Sequence, residues 1–243
     1  MDDLVATAAS AAIIVGAVEL VKAAAARELL DRSSARKLMH VSVGPIFLLT
    51  WRFFSGGPNS PLCAALVPAA MTAKFALTGL GILRGSFLGA DAEVRAMSRT
   101  GRREELLRGP LLYGVTFVSF TYLAFRQLGA AAALMALCVG DGLAEPVGIR
   151  YGHVLGRLPW NPRKSWAGTL ACVLGSLGGS LAFAELFHTW GWSEASAAQM
   201  LSPLGAASLV GAAVESLPLH DVDNLLVPAA VALVVGALAP SAS

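Results

Sequence analysis

LGAAAALMALCVGDGLAEPVGIRYG, residues 128–152, begins as an uninterrupted apolar run and then carries Asp141, Glu145 and Arg150 on into the same segment. An apolar stretch of about 20 residues is long enough to cross the roughly 30 Å hydrocarbon core of a bilayer. An ionised side chain inside such a stretch costs at least about 2.5 to 3.5 kcal/mol on the most lenient insertion scale, so it marks a functional cavity by default. Glycines 140, 142, 148 and 152 bracket the carboxylates and Pro146 sits among them. A helix is therefore expected to break or kink there, which at membrane depth is tolerated where backbone lines a cavity. Asp141 and Glu145, four residues apart, share one face if the segment stays helical.

The rest of the chain has the same character. Of its 243 residues 56% are hydrophobic and 14% charged, and the mean hydropathy is +0.65, too apolar for a soluble domain. Polar punctuation cuts it into apolar segments near 4–25, 38–55, 61–83, 110–125, 128–148, 166–187, 201–218 and 224–240. The expected fold is an all-α polytopic membrane bundle, a single domain over 1–243, with seven or eight transmembrane helices. The opening MDDLVATAASAAIIVGA is acidic and has no basic leader, so it is expected to be a first span, with any targeting peptide absent from this chain. Cys63, Cys138 and Cys172 lie in apolar runs without CxxC spacing and read as packing residues. A net charge of +2 offers nothing to nucleic acid.

Charge placement is more informative. With eight spans, most of the 18 Lys and Arg residues fall in the loops of one membrane face, and the opposite face keeps Arg52 and Arg126. By the positive-inside rule the basic face looks into the cytoplasm or its organellar equivalent. The same face collects SSARKLMH (33–40), SRTGRREELLRGP (98–110), VGDGLAEPVGIRYGHVLGRLPWNPRKSWAG (139–168) and VESLPLHDVDN (214–224). Each pair of charges taken singly reads as well as an interfacial anchor or a helix-end ion pair. All of them on one face favour a shared polar cavity.

The residue types suit a metal-bound triphosphate. Asp141, Glu145, Glu215, Asp223 and Asn224 are hard oxygen ligands of the kind Mg²⁺ takes alongside water and phosphate. Arg36, Lys37, Arg102, Arg103, Arg108, Arg163 and Lys164 are phosphate donors. There is neither a GxGxxG fingerprint after a strand nor a GxxxxGK[ST] loop, so phosphate must be held in another way. Ser165 stands where a helix N-terminus would add its own N–H groups. Trp166 fits an interfacial anchor better than a base-stacking partner. His40 has the right intrinsic basicity for a general base, or equally hydrogen-bonds a neighbouring carbonyl. His153, His188 and His220 lack metal-ligand spacing.

RKLMHVSVG, GRREELLRGPLLYG, GDGLAEPVGIRYG, NPRKSWAGTLA and VESLPLHDVDN, in this order, resemble the plant and algal phytol kinase and farnesol kinase family, over residues 36 to about 235. The GDG to KSWAG unit is more distantly similar to dolichol kinases and phosphatidate cytidylyltransferases. The resemblance implies a multi-pass helical enzyme that uses CTP and a divalent cation to phosphorylate a long-chain isoprenoid alcohol. Phytol is the first expectation, in phytol salvage and tocopherol biosynthesis in a chloroplast membrane, with farnesol or geranylgeraniol as alternatives. It assigns Asp141 and Glu145 to the first acidic motif, the second being Glu where relatives commonly show Asp. Arg163, Lys164 and Ser165 fall to the triphosphate motif, Glu215, Asp223 and Asn224 to the second acidic motif, and Arg36, Lys37 and His40 to the N-terminal signature. Two other classes stay open on the residues alone: a CDP-lipid synthase, which would release pyrophosphate, and a membrane transporter.

Overall fold

The computed structural model of the chain describes residues 1–85, 89–98, 100–219 and 221–239, with Arg32 described by its backbone alone. His220 and Arg99, which the sequence places in polar clusters, lie outside these residues. Among the described residues the protein is helical apart from one β-hairpin, the all-α architecture expected of its composition. The chain forms two compact units, Met1–Leu123 and Ala124–Ser243, each described here by itself.

In the first unit, α1 (Asp3–Ala26) starts at Asp2, whose carboxylate accepts from the N–H groups of Leu4 and Val5. A side-chain acceptor at this position satisfies N–H groups that a helix start leaves orphaned. Asp31 does the same for α2 (Arg32–Thr50), and its bonds from the Ser34 hydroxyl and backbone hold its carboxyl below the usual range. Helix α3 (Ser60–Gly79) carries Pro61 in its first turn. It ends at Gly81, whose φ of 73° lets Ile82 N donate back to the Leu77 carbonyl at 2.9 Å. That is a left-handed close for which glycine is the cheapest residue. The short α4 (Ala90–Met97) and a 3₁₀ turn at Arg103–Leu107 lead into α5 (Gly109–Leu123).

In the second unit, α6 (Leu128–Met135) widens into a π-helical turn at Ala136–Asp141 and continues as α7 (Gly142–Leu155). The three form one 28-residue rod, Leu128–Leu155. The break expected around the glycines is therefore replaced by a π turn, which absorbs an extra residue without opening the backbone to the bilayer. Strands β1 (Arg157–Leu158) and β2 (Asn161–Ser165) pair as an antiparallel hairpin. Helices α8 (Trp166–Thr189), α9 (Leu201–Glu215) and α10 (Asp223–Leu238) complete the unit.

Glycine decides how near α7 and α8 can come. A Cβ on Gly168 would lie 2.7 Å from the Ala144 carbonyl oxygen and 3.4 Å from Gly148 Cα. Opposite the π turn, a Cβ on Gly140 would meet the Cys172 carbonyl at 3.1 Å. Glycines that let backbones touch are the usual means of close helix packing in membranes.

Each of the eight apolar segments falls on a helix, but among the described residues only Asp3–Ala26, Ser60–Gly79, Leu128–Leu155 and Trp166–Thr189 are long and apolar enough to cross a membrane by themselves. Leu201–Glu215 and Asp223–Leu238 are apolar but short; 15 residues of helix reach only about 22 Å. The count of seven or eight spans is thus not carried by length and composition.

Candidate functional site

The hairpin that follows α7 positions the basic end of the site. Gly156, with φ of 83°, turns the chain out of α7, and Arg157 then pairs with Ser165 and Leu158 with Asn161. Leu158 is buried and anchors the hairpin from below. Three side chains fasten it to the end of α9. Trp160 Nε1 donates to Ser216 Oγ at 3.1 Å, and Asn161 Nδ2 donates to the Ser216 carbonyl at 3.0 Å. Lys164 Nζ donates to Glu215 Oε1 at 2.5 Å and also to the Glu215 carbonyl. The last turn of a helix exposes carbonyls with no intrahelical partner and a partial negative charge. An amide and an ammonium are chemically suited to both.

Ser165 is the N-cap of α8. Its Oγ accepts from Gly168 N at 3.1 Å and lies 3.5 Å from the Gly148 carbonyl. The buried hydroxyl is therefore turned into the α7–α8 crossing. Arg163, one residue before Lys164, is exposed, and its carbonyl accepts from Arg157 Nη1 at 3.5 Å. Trp160 and Trp166 pack edge to face with ring centroids 5.5 Å apart, and both are about half exposed, as interfacial tryptophans are.

The acidic side comes from three other places in the unit. Asp141 closes the π turn, half-buried, Glu215 ends α9, and Asp223 opens α10. The charges of Asp141 and Lys164 both act on Glu215 and on Asp223, so both carboxylates lie within electrostatic reach of that acid and that base. Glu215 is deeply placed, its side chain 6% exposed against 25% for Lys164. Asp223 Oδ1 accepts from Asn224 N at 3.0 Å. Glu145 lies one turn beyond Asp141 and is exposed. Among the described residues no group of three or more His, Cys, Asp or Glu side chains gathers tightly enough to hold a metal ion.

The remaining sequence candidates lie in the first unit. Arg36, Lys37 and His40 follow one another along the first turns of α2, all half-buried. The His40 ring packs on Tyr113 with centroids 4.6 Å apart, and Tyr113 Oη donates to the His40 carbonyl at 3.2 Å. Arg102 Nε donates to Thr100 Oγ1 at 3.3 Å, Arg103 Nε lies 3.5 Å from Glu104 Oε1, and Arg108 is exposed at the end of the 3₁₀ turn.

Sequence reasoning missed Trp160, Asn161 and Ser216 as the residues that seat the hairpin. The signal lay in Asn161, a polar residue that loses water here and so has to find a partner.

The chain is similar to curated plant proteins. It is 36% identical over 229 residues to probable phytol kinase 2, chloroplastic, of Oryza sativa subsp. japonica, covering 93% of this chain and 73% of that protein. To phytol kinase 1, chloroplastic, of Arabidopsis thaliana it is 32% identical over 231 residues, covering 93% and 74%. To farnesol kinase, chloroplastic, of the same plant it is 36% identical over 202 residues, covering 82% and 63%. No family model matches the chain. No solved structure matches it either.

Proposed function

We propose that this chain, which belongs to the family of phytol and farnesol kinases, transfers the γ-phosphoryl group of CTP to the hydroxyl of a long-chain isoprenoid alcohol, phytol first among them, in a chloroplast membrane. The observation that carries the proposal is the Lys164–Glu215 pair at the end of α9, with Asp141 and Asp223 within electrostatic reach of Glu215. Phosphoryl transfer asks the protein for little covalent chemistry; positioning and charge neutralisation supply most of the catalysis.

The donor set fits a magnesium ion that arrives with its nucleotide. Mg²⁺ keeps several waters and is held by one or two carboxylates plus phosphate oxygens rather than by an all-protein cage. Asp141 and Asp223 would hold it. When bound, the ion neutralises charge on the transferred phosphoryl group.

The chain's own residues divide the remaining work. Glu215 is committed to Lys164 and serves to hold that ammonium in place. An ammonium has three donors; Glu215 takes two, leaving one for a phosphate oxygen on the partly exposed side of Lys164. Arg163 beside it adds an exposed guanidinium suited to a terminal phosphate. Ser165 and Gly168 fix the angle at which α8 leaves the site. Arg36, Lys37 and His40, in the first unit, match the family's N-terminal signature, and their residue types suit two phosphate donors and a general base.

Membranes carrying the protein, assayed with phytol, farnesol and geranylgeraniol against each nucleoside triphosphate, test the reading. Prenyl monophosphate formed preferentially with CTP and Mg²⁺, and most rapidly from phytol, is the expected result. No prenyl phosphate from any pairing overturns it.

A further inference from the structure

The hairpin carries its basic residues where strand pairing does not hold them. Arg157 pairs with Ser165, and the next residue, Leu158, pairs with Asn161. One step along β1 therefore spans four along β2, and Pro162, Arg163 and Lys164 bulge out without a partner on β1. Only the long contact of Arg157 Nη1 with the Arg163 carbonyl, 3.5 Å, crosses the bulge. Bulges re-aim side chains and are common beside active sites. This one also forgoes ladder bonds, in a two-stranded hairpin of a kind that is marginal by itself. Arg163 and Lys164 thus depend on what holds the two ends of the bulge.

Both ends are buried, whereas Pro162 and Arg163 between them are exposed. Asn161 is 6% exposed and Ser165 2%. Ser165 is fixed as the N-cap of α8. The other end is fixed by Ser216, the C-cap of α9. Its carbonyl accepts from Asn161 Nδ2 and its hydroxyl oxygen accepts from Trp160 Nε1. The same hydroxyl donates to the Ala213 carbonyl at 2.6 Å, so its hydrogen is committed and its lone pairs are left for Trp160. The Glu215 carbonyl next to it accepts from Lys164. Two successive carbonyls that the helix end leaves without intrahelical partners are thus used, one by the cation of the bulge and one by the pin at its base.

We propose that Asn161 is a positioning residue for nucleotide binding: its bond to the Ser216 carbonyl, supported by Trp160, holds the 162–164 bulge so that Arg163 and Lys164 are set for the phosphates before CTP arrives. The proposal rests on the kinase reading for the identity of the ligand. Asn161 acts through Lys164 and Arg163 and touches no phosphate itself. Donors ordered beforehand lose less freedom on binding, which is the gain that preorganisation gives. Loss of the pin therefore falls on the affinity for CTP, while the helices that carry Asp141, Glu215 and Asp223 stay as they are.

The test compares Asn161→Ala, Trp160→Phe, Ser216→Ala and Trp160→Phe/Ser216→Ala with the wild type. In Asn161→Ala the KM for CTP should rise about 2- to 10-fold, the worth of one ordinary hydrogen bond. Its kcat, KM for phytol and melting temperature should stay near wild type. Trp160→Phe keeps a ring against Trp166 and loses the donor, so it and Ser216→Ala should each raise the KM for CTP by less. The double variant should go no further than the larger single one, as two groups that share one bond do. Peptides covering 157–165 should exchange their amide hydrogens faster in Asn161→Ala than in the wild type, and saturating CTP with Mg²⁺ should slow them in both. A wild-type KM for CTP in Asn161→Ala overturns the proposal. So does a fall in melting temperature and kcat with that KM unchanged, which would make Asn161 a structural residue only. If Asn161→Ala does not fold, Trp160→Phe decides in its place, and an unchanged KM for CTP there overturns the proposal. A wild type whose turnover and 157–165 exchange both ignore CTP sinks the kinase reading and the proposal with it, whereas failure of the pin alone leaves the wild-type response to CTP intact.

Discussion

Lys164, in the second strand of the hairpin, donates to both the side-chain carboxylate and the main-chain carbonyl of Glu215, 51 residues along the chain. The cation proposed to bind a phosphate therefore also closes the end of α9. Structure and chemistry are coupled at this residue, and a substitution there disturbs both.

That coupling sets the first prediction. Lys164→Met leaves Glu215 as a buried charge without its partner, a loss of about 3 to 5 kcal/mol for such pairs. The melting temperature should fall well below wild type. Lys164→Met/Glu215→Leu should recover most of the stability and none of the activity. A double variant that regains wild-type CTP kinetics would show the pair to be a fastening only.

Asp141→Asn should abolish turnover while expression and melting temperature stay near wild type, because a metal-ligating oxygen charge is lost without a change in side-chain volume. Steady-state rates beside a melting curve read this directly. Turnover within a few-fold of wild type would remove Asp141 from the site.

Two apolar helical segments of the second unit are legible in the sequence, the continuity of the first through its glycines is not, and the site's wiring is legible only in part. Residues 128–148 and 166–187 read as apolar segments, and helices cover both. Asp141, Lys164, Glu215 and Asp223 were all selected from their charge and their family motifs. The π turn was not legible, because glycines and Pro146 signal backbone freedom without saying how it is used. Nor was the pairing of Lys164 with Glu215: nothing in a local pattern says which distant carboxylate a lysine meets.

Glycine at the α7–α8 crossing gives a prediction about stability alone. Gly168→Ala drives a methyl to 2.7 Å from a backbone oxygen that cannot move independently, and overpacking of this kind costs about 1 to 3 kcal/mol. On the same helix Gly178 has nothing within 4 Å of its would-be Cβ. Gly178→Ala should melt at or slightly above the wild-type temperature, given the better helix propensity of alanine. Equal melting temperatures for the two variants would contradict the close crossing.

Membrane sidedness of the second unit follows from α8, a 24-residue helix long enough to cross. With the native cysteines replaced, single cysteines at His153 and Leu219 should label with an impermeant thiol reagent from one side, and a cysteine at Glu194 from the other. Labelling of Glu194→Cys from the same side as His153→Cys would contradict a spanning α8.

In the proposed reaction the γ-phosphoryl group of CTP moves to the alcohol. Membranes supplied with phytol, Mg²⁺ and CTP labelled either at the γ- or at the α-phosphorus test it most directly, with the extracted lipid counted. Label is expected in phytyl phosphate from γ-labelled CTP alone, with CDP as the released nucleotide. Label reaching the lipid from α-labelled CTP, with pyrophosphate released, would contradict it and make the protein a cytidylyltransferase.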